Sequence, residues 1–242
     1  MIRHNLETIK HTIKQACDKA GRDPASVRIL AVSKTFDAQA INEAKSLEIS
    51  YFGENRVQEA RSKVLEGAFE GATLCLIGHL QSNKASMAAR IFDEIHSVDS
   101  RKIAEVLSKF SLKYRDCPLP VYLQANIAGD VNKHGCKPRE AYDLAKYILN
   151  LEGLKLAGLM TIVPLSESSE DARLHFRNLR LLRDDMLSTG IPAHNLRELS
   201  MGMSSDYQVA IEEGATMIRL GTALFGSRLG KQQDLKAGSW NS

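Results

Sequence analysis

Residues 28–53 read RILAVSKTFDAQAINEAKSLEISYFG and contain the strand–helix–strand pattern on which the fold prediction rests. The apolar run at 28–33 is followed by residues 38–47, which carry apolar side chains at helical spacing, and by a second apolar run at 49–53. The two runs do not alternate strictly with polar residues, which is typical of parallel strands covered on both faces. This stretch therefore predicts one unit of an α/β fold.

The same unit recurs along the chain. Apolar runs predict strands at 28–33, 49–53, 73–78, 94–98, 120–126, 154–160, 196–200 and 216–221. Helical patterns lie between most of them, at 38–47, 55–65, 99–109, 139–150, 171–187 and 206–213. With no break in composition, this alternation predicts a single α/β domain, a (β/α)8 TIM barrel over 1–230. A doubly wound open sheet shares the alternation and is the alternative.

The two ends of the chain lie outside this alternation. An extra N-terminal helix at 5–20 precedes the first strand and is expected to pack against the barrel. Residues 231–242 are polar and lack periodicity, so we expect a flexible C-terminal tail. Within the barrel, Asp37, Asp99 and Ser205 stand where helix N-caps are expected.

Composition excludes several classes of protein. Lys and Arg number 32 and Asp and Glu 29, a net charge of +3 that is too balanced to indicate nucleic-acid binding. The spacing of the four cysteines fits neither a zinc site nor a disulfide framework, so reduced thiols and no metal site are expected. No signal-peptide pattern begins the chain, and no apolar run approaches the ~20 residues that span a bilayer. A cytoplasmic protein that does not enter a membrane is therefore expected.

Lys34 is the first candidate functional residue. It directly follows the first apolar run, and the carboxyl ends of the strands form the active site of a TIM barrel. Desolvation favours the neutral, nucleophilic form of an amine, which can attack a carbonyl group. Most lysines are simply exposed to solvent, so position alone leaves both a Schiff-base role and a structural role open.

The segment 198–226 predicts a phosphate site. Gly202 allows the backbone to approach a ligand closely, and Gly221 with Thr222 opens a final short helix. Loops after the last two strands form the recurrent phosphate site of TIM barrels.

Arg219 lies inside an otherwise apolar run near the end of this segment. A buried arginine needs a partner. The sequence leaves two partners open, a structural carboxylate such as Glu198 or an acceptor on a ring cofactor.

Four motifs carry a resemblance to a known family: AVSKT at 31–35, FGENRVQEA at 52–60, IGHLQSNK at 77–84 and SMGMSSDYQVAIEEGATMIRLGTALFG at 200–226. With these motifs in this order, the chain resembles the pyridoxal phosphate homeostasis protein family, relatives of the barrel domain of bacterial alanine racemases. The resemblance covers about residues 5–230.

The resemblance implies that the cofactor is pyridoxal 5'-phosphate, held as a Schiff base on Lys34. Arg219 would face the pyridine nitrogen and leave it unprotonated, which makes the ring a weaker electron sink. Asn55 would line the pocket, Met201 would pack near the ring, and backbone N–H groups around Met203 would help to hold the phosphate. The implied cofactor-binding residues are Lys34, Asn55, Met201, Ser204, Arg219, Gly221 and Thr222.

Two positions depart from the family pattern. Phe36 stands where many members have a second lysine, and Leu76 replaces the usual aromatic residue of the third strand. The loop at 126–135 keeps the lysine of the family at Lys133 and the glycine at Gly135. Lys133 is therefore the remaining candidate for transferring the cofactor.

The resemblance implies a role in pyridoxal phosphate homeostasis, with no catalytic residue assigned. Racemisation needs a second proton-transfer group, which alanine racemases take from a tyrosine of another domain that we expect this sequence to lack. We expect a monomer that binds pyridoxal phosphate and contacts pyridoxal phosphate-dependent apoenzymes transiently. A racemase-like enzyme and a cofactor-free Schiff-base aldolase are the alternatives.

Overall fold

A computed structural model describes residues 1–164 and 168–226, and within them eight parallel strands form a closed barrel. The strands follow in chain order around the barrel, and the last pairs with the first. They are β1 (Arg28–Val32), β2 (Tyr51–Glu54), β3 (Thr73–Leu76), β4 (Glu94–Val98), β5 (Leu119–Gln124), β6 (Leu154–Met160), β7 (Glu198–Ser200) and β8 (Met217–Leu220). The predicted TIM barrel is confirmed, because β8 pairs with β1 and closes the sheet.

The α-helices of the described residues surround the barrel. They are α1 (Ile2–Ala20), α2 (Ala38–Ser46), α3 (Val57–Leu65), α4 (Ala85–Ile91), α5 (Arg101–Tyr114), α6 (Pro138–Leu149), α7 (Arg173–Ser188), α8 (Tyr207–Glu212) and α9 (Thr222–Phe225). Helix α4 was not predicted: it is only 7 residues long, and only its small Ala85, Ala88 and Ala89 side chains are buried. So short an element leaves little helical periodicity to detect.

The extra N-terminal helix packs against the end of the barrel sequence, as predicted. Its buried face includes Leu6, Ile9 and Ile13. The Asn5 amide donates to the carbonyl oxygen of Leu224 in α9 at 2.9 Å. Helix α1 therefore covers the seam at which the chain closes the barrel.

The predicted N-caps are confirmed at one of three positions. The Asp37 carboxylate accepts a hydrogen bond from the backbone N–H of Ala40 and caps α2. Ser100, rather than Asp99, precedes α5, and Asp206, rather than Ser205, precedes α8.

Two apolar layers hold the fold together. The larger one fills the space between the strands and the helices, whereas a small one inside the barrel comprises Leu30, Val32, Cys75, Ile77 and Met217. The four cysteines are free, in line with the expected reduced thiols. Among the described helices, none is both long and apolar enough to span a bilayer. The predicted tail at 231–242 lies outside the described residues.

Glu213 joins the outer helices through a buried charge cluster. It is only 5% exposed and lies directly after α8. Its carboxylate accepts hydrogen bonds from the guanidinium groups of Arg173, Arg177 and Arg180 of α7, at 3.0 to 3.4 Å. Although burial alone would raise the pKa of Glu213, the hydrogen bonds from Arg177 and Arg173 lower it below its ordinary value.

We expect Glu213→Gln to destabilise the protein by about 1–3 kcal/mol at pH 7, because three guanidinium groups lose a charged acceptor. The folded-state pKa of Glu213 lies below its unfolded value, so the stabilisation is present above the ordinary value of 4.5 and is lost as pH falls through the folded pKa. Urea unfolding of both proteins at pH 7 and below pH 4.5 measures the difference. The exposed Glu43→Gln in α2 is the control. A Glu213→Gln difference that is the same at both pH values would contradict this prediction.

Candidate functional site

The turn after β1 presents Lys34 at the mouth of the barrel. The backbone N–H of Phe36 donates to the carbonyl oxygen of Ser33 at 3.0 Å, so Lys34 and Thr35 form the centre of a tight turn. Thr35 has a φ of 69°, a left-handed conformation that is unfavourable for a β-branched residue. Its N–H donates to the Glu59 carboxylate at 2.6 Å. Strain of this kind persists only where the surrounding structure enforces it, and it is typical of functional sites.

A buried ion pair supports this turn. The Lys63 ammonium donates to the Ser33 carbonyl oxygen at 2.8 Å, to Glu54 Oε1 at 2.7 Å and to Glu59 Oε1 at 3.0 Å. The Ser33 hydroxyl also donates to Glu54 Oε1, at 2.7 Å. Glu54 is fully buried, and burial raises the pKa of its carboxyl group against the opposing effect of Lys63. Both residues that flank Lys34 are therefore held by this cluster.

The side chain of Lys34 is half-buried and makes no hydrogen bond or ion pair with the described residues. Next to it, Phe36 stacks on Phe225 of α9 with ring centroids 4.5 Å apart. The residue that replaces the second lysine of the family thus packs the β1 turn against the last helix. Lys34 is therefore the one lysine in the turn that follows β1.

The loops after β7 and β8 contact each other. The backbone N–H of Ala223 donates to the Ser204 hydroxyl at 3.2 Å, which places Ser204 beside the start of α9, where Gly221 and Thr222 lie. These three residues are at least partly exposed to solvent, as a site for an anionic group requires. The predicted cluster of Ser204, Gly221 and Thr222 is therefore brought together.

One detail of the predicted phosphate site needs correction, and another gains a structural reason. The backbone N–H of Met203 donates to the Asp206 carboxylate at 2.6 Å and is not available to a ligand. Gly202 has a φ of 92°, and an added Cβ would lie 2.6 Å from Ala210 Cβ. Packing against α8 therefore requires this glycine, and its predicted role in the approach of a ligand stays a prediction.

Arg219 points into the barrel and is 4% exposed. Its guanidinium donates to the Ser200 carbonyl oxygen at 2.6 Å, to the Ser200 hydroxyl at 3.0 Å and to the Thr161 carbonyl oxygen at 2.7 Å. Glu198 pairs with Arg28 instead, so the carboxylate alternative is wrong. Burial lowers the pKa of Arg219 to about 10, an effect that the charge of Asp206 opposes, and the group stays cationic at neutral pH.

A histidine–carboxylate pair lies next to Ser200 inside the barrel, with His96 buried and Glu94 partly exposed. His96 Nδ1 lies 3.2 Å from the Ser200 hydroxyl, and His96 Nε2 lies 3.0 Å from Glu94 Oε2. The His96 ring stacks on Tyr122 with centroids 3.8 Å apart. Burial lowers the pKa of His96 against the opposing effect of Glu94. The orientation of Arg219 is therefore set by the carbonyl oxygens of Ser200 and Thr161 and by the Ser200 hydroxyl, which His96 contacts in turn.

Asn55 and Met201 lie in different environments. Asn55 follows β2 at the mouth, and its backbone lies so close to Gly78 that a Cβ on Gly78 would meet the Asn55 carbonyl oxygen at 2.1 Å. Met201 is fully buried in the layer between strands and helices, because side chains alternate along β7 and Ser200 takes the inward position. The expected contact of Met201 with a ring inside the barrel is therefore not supported.

Sequence reasoning missed the residues that hold this site in place: Glu54, Glu59, Lys63, His96 and Thr161. The alternation of Glu94 and His96 within β4 was an available signal, since residues two apart in a strand share one face. No local signal pairs Lys63 with Glu54, because they come from α3 and β2.

Comparison of the sequence with known families identifies the class of protein to which this barrel belongs. The profile of the family described as "Alanine racemase, N-terminal domain" matches residues 4–229. An alanine racemase structure from Clostridium difficile has a TM-score of 0.68 at 17% identity and covers 92% of this chain and 56% of that chain. At that identity, the likeness shows the fold alone.

Two relatives are much more similar. The pyridoxal phosphate homeostasis protein of Pseudomonas aeruginosa is 43% identical over 230 residues, which cover 94% of this chain and 96% of the relative. The structure of PipY from Synechococcus elongatus with pyridoxal phosphate bound has a TM-score of 0.81 at 36% identity and covers 93% of this chain and 100% of that chain. The chain belongs to the pyridoxal phosphate homeostasis protein family.

Proposed function

We propose that this protein binds pyridoxal 5'-phosphate through a covalent bond to the amine of Lys34 and serves intracellular homeostasis of the cofactor. The observation that carries the proposal is the β1 turn. There a strained Thr35 and a buried ion pair present, at the barrel mouth, a lysine that has no hydrogen-bond or ion-pair partner among the described residues. An amine held in this way is available to react with an aldehyde.

The other described residues suit the same ligand. Ser204, Gly221 and Thr222 offer hydroxyl and backbone groups at neighbouring loops, where TIM barrels bind phosphate. When bound, pyridoxal phosphate supplies a reactive aldehyde and an electron-accepting pyridine ring. Arg219 provides a cation that does not release its proton at neutral pH, so a ring nitrogen facing it would remain unprotonated. Such a ring is a weak electron sink, which suits storage better than catalysis.

The described strand ends lack the tyrosine that alanine racemases use as the second proton-transfer group. Between each strand and the following helix, the described segments contain no tyrosine, and their one cysteine is Cys136. Burial and the charge of Asp99 raise the pKa of the Cys136 thiol to about 12, so it is not a base at neutral pH. We therefore propose a carrier and buffer rather than an amino-acid racemase.

Delivery of the cofactor is the second part of the proposal. Phe36 packs on Phe225 and leaves no second lysine in the β1 turn, whereas Lys133 lies in the loop after β5. We propose that a monomer releases pyridoxal phosphate to dependent apoenzymes during transient contact, with Lys133 as the intermediate amine. The similarity to pyridoxal phosphate homeostasis proteins of Pseudomonas aeruginosa and Aquifex aeolicus supports a role in homeostasis.

Two measurements on the purified protein test the proposed function. Addition of pyridoxal phosphate should produce a visible absorbance band at one equivalent per chain. The loaded protein should exchange the α-hydrogen of L- or D-alanine for deuterium no faster than free pyridoxal phosphate does. Sustained exchange or racemisation would support the racemase-like alternative. A protein that stays colourless would overturn the proposal and favour an aldolase, which borohydride would trap only in the presence of its substrate.

A further inference from the structure

Three potential metal ligands meet at one side of the barrel mouth. His79 follows β3, Asp99 follows β4, and His134 lies in the loop after β5. The rings of His79 and His134 are stacked with centroids 3.6 Å apart and an interplanar angle of 8°. His79 Nδ1 lies 3.7 Å from Asp99 Oδ2, and a ligand atom of each of the three residues lies within 4.8 Å of the others.

These distances suit a coordination sphere better than a hydrogen-bonded cluster. A separation of 3.7 Å between His79 Nδ1 and Asp99 Oδ2 is too long for a hydrogen bond. Zinc–nitrogen and zinc–oxygen bonds of about 2.0–2.1 Å place the ligand atoms of a tetrahedral site about 3.4 Å apart. Rotation of the stacked imidazoles about their side-chain bonds would direct their nitrogen lone pairs toward a shared ion.

The three side chains are of the types that bind transition metals, and solvent reaches them. A neutral imidazole is the form that binds a metal ion. The Asp99 side chain is 13% exposed and His79 is 36% exposed, so an ion and a completing water molecule can enter from solvent.

We propose that His79, Asp99 and His134 bind one divalent transition-metal ion, with Zn²⁺ as the preferred class. Two imidazoles and one carboxylate suit zinc and its neighbours, whereas magnesium and calcium require oxygen ligands. With three protein ligands and an open fourth position, the site would be accessible to water or to a ligand atom. The proposal does not depend on pyridoxal phosphate binding.

The position of the site predicts that metal binding affects the loop at 126–135. The loop at 126–135 is held at its base, where the Gln124 amide donates to the His134 carbonyl oxygen at 3.0 Å. The same loop carries Lys133. A bound ion would connect the loop to the ends of β3 and β4 and restrict the motion of Lys133.

The test uses untagged, chelator-treated protein and Zn²⁺ alone. Calorimetric titration against a competing chelator should give one ion per chain for the wild type. His79→Ala and His134→Ala should each weaken binding at least about tenfold, because mutation of even an outer-shell partner of a ligand costs about 10–100-fold in affinity. The matched control is His11→Ala on the exposed face of α1, and Cys117→Ser controls for the exposed thiol. Both controls should bind Zn²⁺ as the wild type does.

Hydrogen exchange is a second measurement, which keeps the proposal testable if an alanine variant folds poorly. Zn²⁺ should slow hydrogen exchange of residues 126–135 in the wild type and in His11→Ala, but not in Asp99→Asn, which keeps the size of the side chain. Absence of stoichiometric binding to the wild type would overturn the proposal. Unchanged affinity in both His79→Ala and His134→Ala would overturn it as well.

Discussion

Lys34→Ala is expected to abolish the visible absorbance that the wild type acquires with pyridoxal phosphate. Lys34 is the lysine of the β1 turn, and its side chain has no hydrogen-bond or ion-pair partner among the described residues. Arg219 and the loops after β7 and β8 remain in the variant, so weaker, non-covalent binding should persist. We expect the affinity to fall at least about tenfold, or about 1.4 kcal/mol. Absorbance titration measures the colour, and equilibrium dialysis measures the residual binding.

Lys133→Ala is the matched control, since it removes an amine from the same end of the barrel. It should keep the absorbance band at the wild-type stoichiometry. Borohydride reduction of the loaded wild type, followed by peptide mapping, should place the modification on Lys34. A band that survives in Lys34→Ala and disappears in Lys133→Ala would reverse the assignment.

Lys63→Met should cause the largest loss of stability, about 3–5 kcal/mol at pH 7. The substitution leaves the fully buried Glu54 carboxylate without its counter-charge. Glu54 Oε2 already has no hydrogen-bond partner among the described residues, so little remains to compensate. The Ser33 carbonyl oxygen also loses the Lys63 ammonium. Urea unfolding monitored by circular dichroism measures the change.

The double variant Lys63→Met/Glu54→Leu distinguishes two causes of the lost stability. One is the loss of the attraction between Lys63 and Glu54, and the other is the cost of burying the Glu54 charge without a partner. Removal of both charges should restore much of the stability, because the cost of the single variant comes mainly from the unpaired carboxylate. Burial already raises the pKa of Glu54, and loss of Lys63 raises it further. The defect of the single variant should therefore diminish as pH falls from 7 toward the ordinary carboxyl value of 4.5, because Glu54 becomes protonated above that value. A double variant no more stable than Lys63→Met would show that the charge is not the cause.

The pair of Lys63 and Glu54 is expected to affect the binding of pyridoxal phosphate as well as stability. Ser33 and Thr35 flank Lys34, and the cluster of Glu54, Glu59 and Lys63 holds both. The folded fraction of Lys63→Met should therefore bind pyridoxal phosphate more weakly than the wild type. Unchanged affinity in that fraction would mean that the cluster stabilises the fold without positioning Lys34.

Much of the architecture could be predicted from local patterns. Each predicted apolar run overlaps an observed strand, because an apolar run between turn residues is a property of adjacent positions. Prediction failed at α4, which is too short to show helical periodicity. It also failed at the N-caps of α5 and α8, because two adjacent residues at each helix start are both suitable caps. Lys34 was found for the same local reason, since it directly follows the first strand.

The sequence by itself determined the order of strands and helices, the lysine at the end of β1 and the polar residues of the last two loops. Only the tertiary structure decided their partners: Arg219 with Ser200 and Thr161, Lys63 with Glu54, and His79 with His134. It also directed Met201 away from the barrel interior. The physical reason is that closing a barrel brings residues of distant strands to one mouth, whereas the sequence pattern records only which face of its own strand or helix each residue occupies.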